Sequence, residues 1–160
     1  MKILIMHVNF PAQYAHLVRA LCTNPANEVI FLCQHDKEDL CFPNLRKIIY
    51  KLFIDSQTSN IKVLKKTDEN CLEAVEVKKH LYKLRNNDAF IPDVILAHPG
   101  WGNLLFVRDI YPDVPLVSYI EYYPNVAGGG ALYNPLKEIK YEAIEGLKLN
   151  TTTYLHAMLD

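Results

Sequence analysis

Six almost uninterrupted apolar residues open the chain: Ile3-Leu4-Ile5-Met6-His7-Val8. A strand with one wet face alternates apolar and polar side chains. A continuous run therefore belongs to a strand covered on both faces, as in a parallel sheet. The signature returns at Glu28-Val29-Ile30-Phe31-Leu32-Cys33 and at Val94-Ile95-Leu96-Ala97. Between these runs the pattern turns helical. Pro11 opens a helix at its first turn, Ala15, Val18, Leu21 and Cys22 share a face, and Asn24-Pro25-Ala26-Asn27 stops it. Arg46 to Phe53 predicts a third strand, after a polar loop carrying Pro43. From Asp68 to Asn86 a second helix places Cys71, Ala74, Val77, Leu81 and Leu84 on one face, with lysines opposite. A helix over Asn103 to Ile110, a strand over Leu116 to Glu121 and a last helix follow. In that helix Leu136, Ile139, Ala143, Leu147, Tyr154 and Met158 keep phase.

Strands alternating with helices predict an α/β fold, a Rossmann-like three-layer αβα sandwich on a mainly parallel sheet. The 160 residues are expected to form one domain. In the doubly wound order 3-2-1-4-5, strands one and four are neighbours and the winding reverses between them. Ligands bind outside the carboxyl ends of strands at that switch point. The loops emerging there are Asn9-Phe10-Pro11-Ala12-Gln13 and His98-Pro99-Gly100-Trp101-Gly102.

The second loop is also unusual in composition. Residues 1–99 contain no glycine, and the loop then sets two glycines around the only Trp. By contrast, the glycine-free loop after strand one excludes a dinucleotide fingerprint and a P-loop, which need glycines for backbone to approach phosphate. No metal-spaced Cys/His cluster and no nucleophile motif is present, so neither metal nor cofactor is expected. A formal charge of −1 supplies no basic field for nucleic acid. No run approaches the ~20 apolar residues of a membrane span. The N-terminus reads as a first strand and not as a signal peptide. Cys22, Cys33, Cys41 and Cys71 lack any CxxC spacing and are expected to be reduced thiols of a cytoplasmic protein.

Within the switch-point loops His98 can bond a hydroxyl or phosphate, or be satisfied by nearby backbone. Trp101 floors a sugar site or packs under its loop. Asn9 and Gln13 offer amides to a ligand or to the turn. Glu121, followed by Tyr122-Tyr123-Pro124, orients a hydroxyl or simply ends a strand. Gly128 to Gly130 form a loop that could cover a site. Lys62, Lys65, Lys66, Lys78, Lys79, Lys83 and Arg85 form either a solvated helix face or a contact with an anionic membrane surface.

The stretches His7-Val8-Asn9-Phe10-Pro11-Ala12-Gln13, Pro92-Asp93-Val94-Ile95-Leu96-Ala97-His98-Pro99-Gly100-Trp101-Gly102 and Pro112-Asp113-Val114-Pro115-Leu116 through Glu121-Tyr122-Tyr123 resemble the N-terminal domain of bacterial family 4 glycosyltransferases. The resemblance implies the N-terminal, acceptor-side half of a GT-B architecture. There a sugar passes from a nucleotide-sugar donor to a glycan or lipid-linked acceptor with retention, without a metal at the reacting centre. It also implies that His98 lies near the transferred sugar and that Asn9 to Gln13 lie near the acceptor and diphosphate. With the switch-point reading, His98 and Glu121 are expected to be catalytic, and Asn9, Phe10, Gln13, Gly100, Trp101, Gly102 and Tyr122 to bind substrate. Many relatives carry glycines in the first loop, where this chain has none. The donor-binding half is not found in these 160 residues, so the chain is expected to be inactive alone. Its exposed domain interface offers a surface for self-association, and the chain is expected in the cytoplasm, with peripheral contact at the inner membrane face as the alternative. The competing expectation is a non-catalytic Rossmann-like module that binds a sugar or nucleotide or docks on a protein.

Overall fold

The computed structural model describes residues 1–53, 61–121 and 141–159. Five strands, β1 (Lys2–Met6), β2 (Glu28–Cys33), β3 (Leu45–Ile49), β4 (Val94–Ala97) and β5 (Leu116–Ser118), form an all-parallel sheet in the order β3-β2-β1-β4-β5. This is the order expected of a doubly wound sheet, with its reversal between β1 and β4. Burial follows position: β1 and β2 are buried beyond their first residues, whereas edge strands β3 and β5 are half exposed.

The pleat sorts the core into two layers. Ile3, Ile5, Val29, Phe31 and Cys33 point to one face and meet Val18 and Cys22 of α1 (Ala15–Thr23). Leu4, Met6, Ile30, Leu32 and Ile95 point to the other and meet Val77, Leu81 and Leu84 of α2 (Lys65–Asn86). Each such side chain contributes roughly 1.5–3 kcal/mol on burial. α3 (Val107–Ile110) and α4 (Tyr141–Leu159) lie on the α2 side, making three layers.

Several expected elements shift. β3 and β5 end sooner than Phe53 and Glu121, because an edge strand has one neighbour to pair with. The helix expected over Asn103 to Ile110 divides into a 3-10 turn at Gly102–Leu104 and the short α3. On α2, Cys71 is exposed. The buried stripe is Asn70, Glu73, Ala74, Val77, Leu81 and Leu84, so two polar residues occupy the face that apolar periodicity assigned to Cys71. Leu136, Ile139, Tyr122 and Gly128 to Gly130 lie outside the described residues. Among the described residues no helix is long and apolar enough to cross a membrane.

Candidate functional site

The register of the sheet builds the site. Met6 is opposite Ala97, and Ala97 is opposite Ser118, so the next residues, His7, His98 and Tyr119, stand in a row across the ends of β1, β4 and β5. Backbone bonds continue the ladder that far: His98 N–H donates to Met6 O (3.3 Å) and Tyr119 N–H to Ala97 O (2.8 Å). Ring centroids lie 5.4 Å apart for His7 and His98 and 6.5 Å for His98 and Tyr119. Trp101 covers the row, 5.0 Å from His7 and 5.1 Å from His98. Tyr14 approaches from the first loop, 6.1 Å from His7 and 5.9 Å from Tyr119. Five aromatic rings thus cluster at the switch point.

His98 is held with one nitrogen in use and one to spare. Gly100 N–H donates to its Nδ1 at 2.9 Å, which leaves the proton of the neutral ring on Nε2. Glycine is needed here because a Cβ on residue 100 would lie 2.8 Å from His98 Cε1 and 2.9 Å from Nδ1. Nε2 is buried and has no hydrogen-bond partner among the described residues. The nearest carboxylate oxygen, Glu121 Oε2, is 3.5 Å away, too long for a hydrogen bond and short enough to set the local potential. Burial pulls the His98 pKa below 6.5 and outweighs the opposing pull of Glu121. His7 is lowered in the same way, with the backbone of Asn9 opposing. A neutral, buried Nε2–H donor therefore stands beside the half-exposed carboxyl group of Glu121.

The first loop adds further polar groups. Gln13 Nε2 and the Tyr14 hydroxyl are buried without a partner among the described residues. Burial, with Tyr119 and Glu121 nearby, pushes the Tyr14 phenol well up, so it stays a donor. Ala12 has φ 46°, the left-handed conformation that glycine adopts without penalty. A left-handed residue thus stands in a loop that contains no glycine. Asn9 is exposed and its backbone N–H donates to His7 Nδ1 (2.9 Å). Phe10 is not brought to the crevice: it is 1% exposed, with its ring 4.9 Å from that of Phe31.

Gly102 has a different duty from Gly100. A Cβ there would sit 1.7 Å from Asn70 O, on the backbone of α2. This contact brings the Gly102 amide to Glu73 Oε2 (3.4 Å), while the Tyr50 hydroxyl donates to Oε1 (2.6 Å). Glu73 is 2% exposed and burial raises its pKa. It ties the end of β3 to the loop that carries Trp101.

The structure thus brings together His98, Glu121, Gly100 and Trp101, buries Gln13 Nε2 in the first loop, seats Gly102 against α2 and leaves Asn9 exposed. Sequence reasoning missed His7, Tyr14, Tyr119, Tyr50 and Glu73. His7 follows β1 as His98 follows β4, and Glu73 keeps helical phase with Val77, Leu81 and Leu84, so two of these had a signal. Residues 25–159 match the family model described as glycosyl transferase family 4 group. No curated protein matches the chain.

Proposed function

The chain belongs to the glycosyl transferase family 4 group, and from that premise we propose that it is the acceptor-side domain of a retaining transferase. The reaction moves a sugar from a nucleotide-sugar donor to a glycan or lipid-linked acceptor. The donor is held mainly by a second, GT-B-type domain facing the switch-point crevice. The carrying observation is the orphaned His98 Nε2–H beside Glu121 at the reversal of the sheet. β1 and its loop lie outside the matched residues, so the part of Gln13 and Tyr14 rests on geometry.

In this reading His98 Nε2–H donates to a hydroxyl of the transferred sugar and Glu121 accepts from the acceptor hydroxyl, orienting it for attack. Fixed donors of this kind act without reorganisation. Orientation of acceptor against donor requires closure of both domains, so the chain alone is inactive. Its lysine-bearing α2 face suits an anionic membrane surface on the cytoplasmic side. Exposed Leu155, Met158 and Leu159 on α4 suit the partner domain or, without it, self-association.

The test pairs the chain with the donor-binding half, fused or mixed, and measures sugar transfer. Transfer is expected to appear only with both halves and to fall by about two orders of magnitude in His98→Ala, the loss typical of one fixed donor. Full activity of that variant would remove His98 from the site. Ligand binding by the chain alone, unchanged by an added domain and without turnover, would favour a binding module.

A further inference from the structure

A cavity of about 230 Å³ opens at the carboxyl ends of β1, β2 and β3, next to the His98 crevice. Its floor is rigid, because the amides of Gln34 and His35 both donate to Val8 O (2.9 and 2.8 Å) and extend the sheet past β1 and β2. Its other side is α2, which contributes Lys66, Glu69 and Glu73. Trp101 forms the shared wall with the crevice.

The lining restricts the occupant. The volume falls below the roughly 300–1,000 Å³ typical of drug-sized or cofactor sites, which favours an occupant smaller than a nucleoside diphosphate. Among the described residues no three His, Cys, Asp or Glu side chains converge to hold a metal ion. Glu69 is paired with Lys66 at the rim and Glu73 is a second acidic group on the same wall, a set of groups that disfavours a phosphate. An apolar ligand would strand Glu73, whose position is already set by Tyr50 and Gly102. Carboxylates accept from paired hydroxyls, Lys66 and Gln34 donate to ring and hydroxyl oxygens, and an indole covers C–H surface. A neutral polyhydroxylated ring satisfies all of these.

We propose that this cavity is a subsite for one neutral hexose-type unit of an oligosaccharide acceptor, next to the unit that receives the transferred sugar in the crevice. The word acceptor rests on the glycosyl-transfer reading. The site for a neutral sugar does not. Glu69 and Lys66, paired at 3.4 Å on the rim, grip the ring hydroxyls.

Trp101 is the only Trp of the chain, so its fluorescence reports the wall directly. The 160-residue chain is titrated with neutral methyl hexosides, maltose and cellobiose, and in parallel with glucosamine and inorganic phosphate. At least one neutral sugar is expected to give a saturable change with a Kd on the order of a few millimolar. Glu69→Gln and Lys66→Met are each expected to weaken it about tenfold, with unchanged circular dichroism. Both side chains are partly exposed, at 27% and 43%, so the fold tolerates the changes. The proposal is overturned by silence toward every neutral sugar, by both variants binding as tightly as the unaltered chain, or by a response confined to glucosamine or phosphate. Because the readout is binding, failed transfer by the assembled enzyme would refute the transferase reading and leave this result standing.

Discussion

Replacing Gly102 by Ala tests the contact on which the site is built. The new Cβ would lie 1.7 Å from Asn70 O, 2.7 Å from Asn70 C and 2.9 Å from Ala74 N, all backbone atoms of α2. None of these can swing aside as a side chain can. Reaching ordinary contact at 3.4 Å requires a retreat of about 1.7 Å between loop and helix. The amide bond from Gly102 to Glu73, already 3.4 Å, does not survive that shift. Overpacking against a rigid neighbour costs about 1–3 kcal/mol, and a buried carboxylate losing a donor about 1–3 kcal/mol more. Relaxation couples the two, so the expected loss is about 3–5 kcal/mol, a large share of the roughly 5–15 kcal/mol of a typical domain. At about 2–4 °C per kcal/mol for a chain of this size, Tm falls by roughly 6–20 °C. Urea unfolding followed by far-UV circular dichroism measures the loss. Trp101 emission measures the displacement of the loop. The control is Gly146→Ala in α4, where nothing lies within 4 Å and helix propensity predicts a gain of up to about 1 kcal/mol. A loss below about 1 kcal/mol in Gly102→Ala, with unchanged emission, would refute the close approach of the loop to α2.

Other perturbations probe separate parts of the design. Tyr50→Phe removes the hydroxyl that donates to Glu73 at 2.6 Å and is expected to cost about 1–3 kcal/mol in urea unfolding. An unchanged midpoint would mean that water replaces the phenol. His7, His80 and His98 are each held below 6.5 by burial, so the unfolded chain binds more protons than the native one below that pH. Stability is therefore present in full above pH 6.5. It falls as pH drops through the native values, by at most about 1.4 kcal/mol per pH unit for each histidine. Imidazole NMR titration should place all three midpoints below 6.5, and a His98 midpoint above it would mean that Glu121 outweighs burial. Cys41 and Cys71 are exposed and should react with a thiol reagent in the native state. Cys22 and Cys33 are buried, with Cys33 pushed up to about 12, and should wait for unfolding. Fast modification of all four would contradict the packing of α1 on β2.

The parts legible in the sequence are those whose cause is local. Glu28–Cys33 and Val94–Ala97 were bounded correctly, because a strand buried on both faces has no polar alternation to blur its ends. The edge strands β3 and β5 are shorter than their apolar runs, since their length depends on a single neighbour. On α2, apolar counting chose Cys71 over Asn70 and Glu73. It treats any buried carboxylate as an error, and cannot know that Tyr50, 23 positions away, supplies a donor.

What the sequence alone determined was the layer order, the five parallel strands and the two loops that meet at the reversal. Hydrophobic period and turn residues are short-range, and the handedness of crossovers leaves few ways to join such elements. The tertiary structure alone decided what those loops contain. Register placed His7 beside His98 and Tyr119, and Gly100 chose which imidazole nitrogen carries the proton. Contact at Gly102 with the backbone of α2 set Trp101 between crevice and cavity. These outcomes depend on partners brought together from β1, β3, α2 and β4. The chemistry of a polar group inside a protein is set by such neighbours, not by its own identity.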